Sequence, residues 1–148
     1  MHVKTKFSKD LEWLRGFIWD ARKEVNIDRI FEIKGYSVPI QKVERSWATC
    51  SLNEDGKFTI TIRTYHQGLE SKGGRKKVST EHYERSIEEI LTDLAHELAH
   101  IPTWNNRKSH DYRHFAIIGK IMVAFSKRLR KLKVKDTWDH FSSLAQEE

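Results

Sequence analysis

The sequence predicts an α+β domain in which a small three-stranded sheet, antiparallel or mixed, packs on helices. Three observations predict it: an N-terminal segment with apolar residues at helical spacing, a β-branched and alternating middle, and a C-terminal half that returns to helical periodicity. The chain has 148 residues and 38% hydrophobic content, enough for one core. We therefore expect residues 1–148 to form a single domain.

The N-terminal segment is predicted to form an amphipathic helix with Ser8 as its N-cap. Its apolar residues recur every three or four positions: Leu11, Leu14, Phe17, Ile18, Ala21 and Val25. Strands are predicted over residues 29–36, 41–50 and 57–65. In the last of these, apolar and polar side chains alternate. A turn at residues 53–56 joins the last two strands, so we expect a hairpin there.

Residues 66–82 contain two adjacent glycines, a basic cluster and almost no apolar side chains, which predicts an exposed, mobile loop. Ser86 and Glu89 then have capping-box spacing and predict the start of a second helix. Its expected buried side consists of Ile87, Ile90, Leu91, Leu94, Ala95 and Leu98. Pro102 disfavours helical geometry at Ile101, so this helix should end just after His100.

A third helix is predicted from about Ser109 to about Lys133. Its expected apolar stripe is Phe115, Ile118, Met122, Phe125, Leu129 and Leu132. The C-terminal tail, residues 134–148, is predicted either to form one more short helix or to lie loose.

Composition limits the classes of protein that fit. Cys50 is the only cysteine, so an intramolecular disulfide and a cysteine-based zinc ribbon are excluded. The N-terminus has no apolar run typical of a secretory signal or a membrane span, which predicts a cytoplasmic protein without a membrane partner. The net charge of +6 permits contact with nucleic acid without requiring it.

The most informative motif is His96-Glu97-Leu98-Ala99-His100, an H-E-x-x-H sequence inside the second helix. Positions i and i+4 lie on one face of a helix, where two imidazoles can bind one Zn²⁺. Glu97 points about 100° away around the helix and can reach a metal-bound water instead. This arrangement predicts metal-assisted hydrolysis, with Glu97 as the general base.

A catalytic zinc usually takes three protein ligands, so a third is expected downstream. The candidates are His110, His114 and, less plausibly, Asp111. We favour His110 because the loop returning from His100 can place it beside the second helix, and we keep His114 as the alternative. Asp93 lies one helical turn before His96 and is a candidate to orient a metal-binding histidine.

In the order of its elements and in its H-E-L-A-H motif, the chain resembles a SprT-like zinc metallopeptidase domain. The resemblance spans about residues 8–133, the expected domain core, and includes Cys50-Ser51-Leu52 and the "ITI" strand. It implies a minimal zincin-like fold and Zn²⁺ bound by His96, His100 and His110. It also implies proteolysis of protein substrates with Glu97 as base, directed in some relatives at proteins attached to DNA. Asp111 departs from the family, which usually has glycine after its third histidine.

Two further expectations concern partners. The alternating strand from Phe58 to Thr64 is expected to be an edge strand that holds an extended peptide substrate. Basic residues at 75–77 and 127–135 could contact DNA phosphates. The alternative to a peptidase is therefore a basic nucleic-acid-binding or adaptor protein whose metal site is structural or silent.

Overall fold

The computed structural model describes residues 4–36, 48–72, 75–104 and 111–146 and has an α+β architecture. Its strands are β1 (Lys6–Phe7), β2 (Ile30–Tyr36), β3 (Ala48–Leu52), β4 (Phe58–Arg63), β5 (Tyr65–Lys72) and β6 (Arg75–Glu84). Its α-helices are α1 (Arg15–Arg22), α2 (Ile87–Ala99) and α3 (Tyr112–Gln146), and a 3₁₀ helix (Lys9–Leu14) precedes α1.

The main sheet is mixed, as expected, but has four strands in the order β1-β2-β4-β3. The β2–β4 pair is parallel and the β3–β4 pair is antiparallel. The strand beyond the predicted three is β1, only two residues long and parallel to β2. A strand this short carries no periodicity of its own, because it is defined by its pairing with a distant segment.

Strand β4 lies between β2 and β3, so its backbone is paired on both sides. The prediction that this strand is an edge open to a peptide is therefore wrong. Within the described chain, β3 is the edge of the sheet on that side.

The β3–β4 hairpin is confirmed, with its turn at the predicted residues. Gly56 has a φ of +81°, a left-handed conformation that glycine adopts without steric cost. Its amide donates to the Asn53 carbonyl at 3.0 Å, and the Asn53 amide donates to the Lys57 carbonyl at 2.8 Å. These two hydrogen bonds close the turn and fix the hairpin register.

Residues predicted to form a loop instead pair as the antiparallel strands β5 and β6. The N-terminal helix also differs from its prediction, because its first part is 3₁₀ and only Arg15–Arg22 is α-helical. Ser8 precedes it, but the Ser8 hydroxyl accepts from the Gly35 amide at 2.9 Å rather than from a helix amide. Ser8 therefore fastens this segment to β2.

The helices pack on the sheet around one apolar core. Helix α2 contacts β3, β4 and α3, and α1 contacts α3. The largest fully buried side chains are Phe58, Phe125, Leu11, Leu14, Ile18, Ile27, Ile30, Ile33, Ile60, Ile62, Leu94 and Leu98. Burying one such side chain contributes about 1.5–3 kcal/mol, so α2 is held firmly against β4 and α3.

Candidate metal centre

Helix α2 begins where the sequence predicts it to begin. The Ser86 hydroxyl accepts from the Glu89 amide at 3.2 Å, and the Glu89 carboxylate accepts from the Ser86 amide at 3.4 Å. This is a complete capping box. It fixes the start of the helix, and with it the faces on which His96, Glu97 and His100 lie.

The end of α2 is equally well defined, because its last four carbonyls all accept hydrogen bonds. The Glu97 and Leu98 carbonyls accept from backbone amides three residues ahead, at 3.1 Å each, and the Ala99 carbonyl accepts from the Thr103 hydroxyl at 2.9 Å. The remaining carbonyl, that of His96, accepts from His114. The helix therefore ends as predicted, with His100 as its C-cap.

His114 comes from the first turns of α3 and is buried, with 1% of its surface exposed. Its Nε2 lies 3.1 Å from the His96 carbonyl oxygen. A carbonyl can only accept, so in this contact the Nε2 N–H of His114 is the donor. Ligating histidines are commonly oriented by such a bond from the other ring nitrogen to a backbone carbonyl.

His96, His100 and His114 converge on one point. Their ring centroids are 5.2 Å apart for His96–His100, 4.8 Å for His96–His114 and 4.3 Å for His100–His114. One nitrogen from each ring lies within 4.8 Å of the other two. The structure therefore brings together three imidazoles that are close enough to bind a metal ion.

This donor set fits zinc. Zinc binds imidazole nitrogen at about 2.0–2.1 Å, and three histidine ligands are typical of a catalytic zinc with one open position. Tetrahedral coordination at that length places ligand nitrogens about 3.3 Å apart, so small side-chain rotations suffice to close the set. The orientation of the His114 ring by the His96 carbonyl agrees with the same assignment.

Glu97 lies beside this cluster and is buried, with 8% of its surface exposed. Burial, first, and the negative charge of Asp93, second, raise the pKa of Glu97 from its ordinary value to about 7. Burial, followed by the charge of Glu97, also raises the pKa of the Cys50 thiol on β3 to about 12. The Glu97 carboxyl group is thus within electrostatic reach of the edge strand.

Asp93, the candidate to orient a ligand, forms an ion pair with Arg85. Its Oδ2 lies 2.7 Å from Nη2 of Arg85, a guanidinium that also donates to the Arg63 carbonyl at 3.0 Å. Asp93 therefore pairs with a buried cation near the start of α2, and it acts on Glu97 through its charge.

Of the three candidates for the third ligand, the structure places His114 in the cluster, and His110 lies outside the described residues. Asp111 instead caps α3: its Oδ1 accepts from the amides of Arg113 at 3.0 Å and His114 at 3.2 Å. An aspartate that accepts from the amides two and three residues ahead is a typical N-cap, and here it fixes the start of the helix that carries His114.

The burial of His114 has a sequence signal that the predicted stripe overlooks. His114, Ile118, Ile121 and Phe125 also keep helical spacing, and these residues form the buried or partly buried face of α3. Phe115, which the predicted stripe includes, is 60% exposed. Hydrophobicity favours phenylalanine over histidine as the buried residue, so the predicted stripe takes Phe115 in place of His114 and otherwise shares Ile118 and Phe125 with the observed face.

The basic segments lie on two different elements. Residues 75–77 begin β6, and residues 127–135 lie within α3. Within the second segment, Arg128 is held inward: its Nη1 is 3.1 Å from Asp20, and its guanidinium lies 5.6 Å from the Phe17 ring centroid. That arginine is already engaged in packing α3 on α1.

Comparisons of the chain with protein-family models, with curated proteins and with solved structures found no match. The resemblance to SprT-like peptidases thus stays a prediction from the sequence. In the described part of the chain, no helix combines the length and the apolar character needed to cross a membrane.

Proposed function

We propose that this protein is a zinc metallopeptidase of the H-E-x-x-H type, with a minimal zincin-like fold, that cleaves peptide bonds of protein substrates. The observation that carries the proposal is the convergence of His96, His100 and His114 beside the buried carboxyl group of Glu97. A site that only stabilises a fold needs ligands and no base. A buried carboxyl next to the ligands supports a hydrolytic role.

A zinc ion held by the three imidazoles would polarise the scissile carbonyl and lower the pKa of a bound water to about 7. The protein's own contribution is the proton transfer. Glu97 takes a proton from the attacking water and delivers it to the leaving amine. A carboxyl group can perform both steps, because it accepts a proton as the carboxylate and returns it as the acid.

We propose His114 as the third ligand, in place of the favoured His110. The support is the position of His114 in the cluster and the hydrogen bond from its Nε2 to the His96 carbonyl, which orients the ring. His110 precedes His114 by four residues and is the competing ligand.

The edge strand β3 is the part of the sheet on which we expect an extended substrate to lie. The Asn53–Lys57 hydrogen bond sets the alternation of the ladder, so Asn53, Ser51 and Thr49 direct their backbone groups towards β4. The amides of Cys50 and Leu52 then point outwards from the sheet and can pair with a peptide.

Leu52→Pro tests this placement, because it removes an outward amide and leaves the ladder to β4 intact. We expect KM for peptide cleavage to rise several-fold with kcat little changed. An unchanged KM in a folded Leu52→Pro protein would exclude β3 as the substrate strand.

The decisive experiment for the function compares wild type with Glu97→Gln on an unfolded generic substrate such as casein. Replacing a general base should lower the rate about 100-fold or more, while zinc content stays that of the wild type. Glu88→Gln is the matched control, since Glu88 lies on the same helix with its side chain 63% exposed. Full activity in Glu97→Gln would reject the role of Glu97.

The second candidate is the adaptor or nucleic-acid-binding protein with a structural metal site. One observation favours it: His114 also caps the end of α2, which is a structural task. A wild-type protein that holds zinc, cleaves no protein substrate and binds duplex DNA with a steep salt dependence would establish this candidate instead.

A further inference from the structure

A cavity lies away from the histidines, between the N-terminal segment, α1 and α3. Its volume is about 520 Å³, within the range of small-molecule sites. The residues that line it are Lys4, Thr5, Phe7, Arg15, Gly16, Ile18, Trp19, Arg22 and Arg128. On α3, Arg128 follows His114 by 14 residues, about 21 Å along the helix axis, so this cavity and the metal centre are distinct.

The lining of this cavity is cationic. It contains four basic residues, and none of the described residues that line it is acidic. Three carboxylates pair with its guanidinium groups: Glu12 is 3.1 Å from Arg15, Asp20 is 3.1 Å from Arg128, and Asp28 is 4.0 Å from Arg22. Carboxylates so placed hold the arginines in position and leave further N–H donors for an anion, since each guanidinium has five.

Two of these arginines are fixed by contacts that determine their position. Arg22 donates to the Thr5 hydroxyl at 2.8 Å, and the Thr5 hydroxyl donates to the Ile30 carbonyl at 3.0 Å. Arg128 lies across α1 at Gly16, where any Cβ would clash with its guanidinium. These cations are therefore ordered before a ligand arrives, which lowers the entropic cost of binding.

An aromatic side chain stands among the cations. Arg15, Trp19 and Arg22 are spaced four and three residues apart, so they share one face of α1. Trp19 is 60% exposed. Phe7 is already covered by the Arg15 guanidinium, which lies 4.5 Å from the Phe7 ring centroid. Trp19 is thus the aromatic surface that remains open for stacking.

We propose that this cavity binds a nucleotide unit, with its base stacked on Trp19 and its phosphate held by Arg15, Lys4 and Arg22. Arginine binds phosphate through paired N–H donors, and an exposed indole ring stacks on any base. The exposed ion pair between Arg15 and Glu12 is weak, so a phosphate can replace the Glu12 carboxylate at the Arg15 guanidinium. The unit could be a free mononucleotide or part of a single strand, since both present the same base and phosphate.

Binding is measured by fluorescence anisotropy with a fluorescein-labelled oligo(dT) of about ten nucleotides, and by calorimetry with AMP and with inorganic phosphate. EDTA is present throughout, so that a metal at the histidines contributes nothing. We expect Trp19→Ala to weaken binding about tenfold and Trp19→Phe to restore most of it. Arg15→Gln should weaken binding several-fold and reduce its salt dependence.

The matched controls are Tyr112→Ala and Lys120→Gln, an exposed aromatic residue and an exposed cation outside both the cavity lining and the basic segments. Both should bind as wild type does. AMP that binds the wild type and displaces the oligonucleotide identifies a free nucleotide as a sufficient ligand. An oligonucleotide that binds through Trp19 while AMP does not bind identifies the single strand.

Two results would overturn the proposal. One is the absence of binding by both probes. The other is binding that phosphate inhibits as well as AMP does, with Trp19→Ala equal to wild type, since that pattern shows only a general attraction of anions.

Discussion

At its N-terminal end, α2 has a buried cation matched with an anion, whereas at its C-terminal end it gathers groups that do not neutralise one another. Arg85 lies 2.7 Å from Asp93, and Ser86 and Glu89 complete the capping box. Three imidazoles and the carboxyl group of Glu97 lie at the other end of this 13-residue helix. Burial and the charge of Asp93 raise the pKa of that carboxyl group to about 7. The first arrangement stabilises a fold, and the second is typical of a site that binds a metal or moves a proton.

The largest effect is expected at the C-terminal end, from metal removal. A ligand present at a thousand times its Kd stabilises the folded state by about 4 kcal/mol. EDTA should therefore lower the Tm of zinc-loaded protein by about 10 °C in differential scanning fluorimetry. His114→Ala serves as the control and should not respond to EDTA. Equal Tm values with and without EDTA in zinc-loaded wild type would mean that the histidines hold no metal.

At the N-terminal end, Asp93→Ala should destabilise the protein by about 3 kcal/mol, because it removes the closer of the two carboxylates that face the buried Arg85 guanidinium. Urea unfolding of the variant measures this change. The double variant Arg85→Met, Asp93→Ala should recover much of the lost stability, because the buried guanidinium is also removed. A double variant less stable than Asp93→Ala would contradict the assignment of this pair as a structural unit.

Ser86→Ala should cost less, about 1 kcal/mol, because it removes one side of a partly exposed capping box. The same urea experiment applies, with Ser126→Ala, at an exposed position in the middle of α3, as the control. Zinc content should be unchanged, since the cap lies at the opposite end of α2 from the histidines. Loss of zinc in Ser86→Ala would show that the two ends are coupled.

The smallest effect is expected at Cys50. Burial and the charge of Glu97 raise the pKa of its thiol to about 12. The thiol stays protonated at pH 8, and only the thiolate is nucleophilic, so iodoacetamide should not modify the native protein. In denaturant, where the pKa returns to its ordinary value, modification should be rapid. Mass spectrometry distinguishes the two. Rapid labelling of the native protein would contradict the burial of the Cys50 thiol.

Local signals account for the part of the fold that the sequence predicts. The capping box at Ser86, the end of α2 before Pro102 and the hairpin turn at Gly56 all depend on residues within a few positions of each other. The same holds for the H-E-x-x-H spacing, which places His96 and His100 on one face.

The features that the sequence analysis misses depend on distant partners. Strand β1 exists through its pairing with β2, and residues 66–82 have too few apolar side chains to predict the strands β5 and β6. Helical spacing is compatible with the burial of His114, but its hydrogen-bond partner, the His96 carbonyl at the end of α2, is distant in the sequence and leaves no signal on α3. A prediction based on hydrophobicity selects Phe115 for that face instead.

The measurement that tests the central claim most directly is zinc content per chain, by inductively coupled plasma mass spectrometry, for wild type, His110→Ala and His114→Ala. All are purified without added metal, and circular dichroism verifies their folding. The account predicts about one zinc per wild-type chain, retained in His110→Ala and lost in His114→Ala. Wild-type protein that contains no zinc and takes up none would contradict the metal centre, and loss in His110→Ala alone would contradict its ligand set.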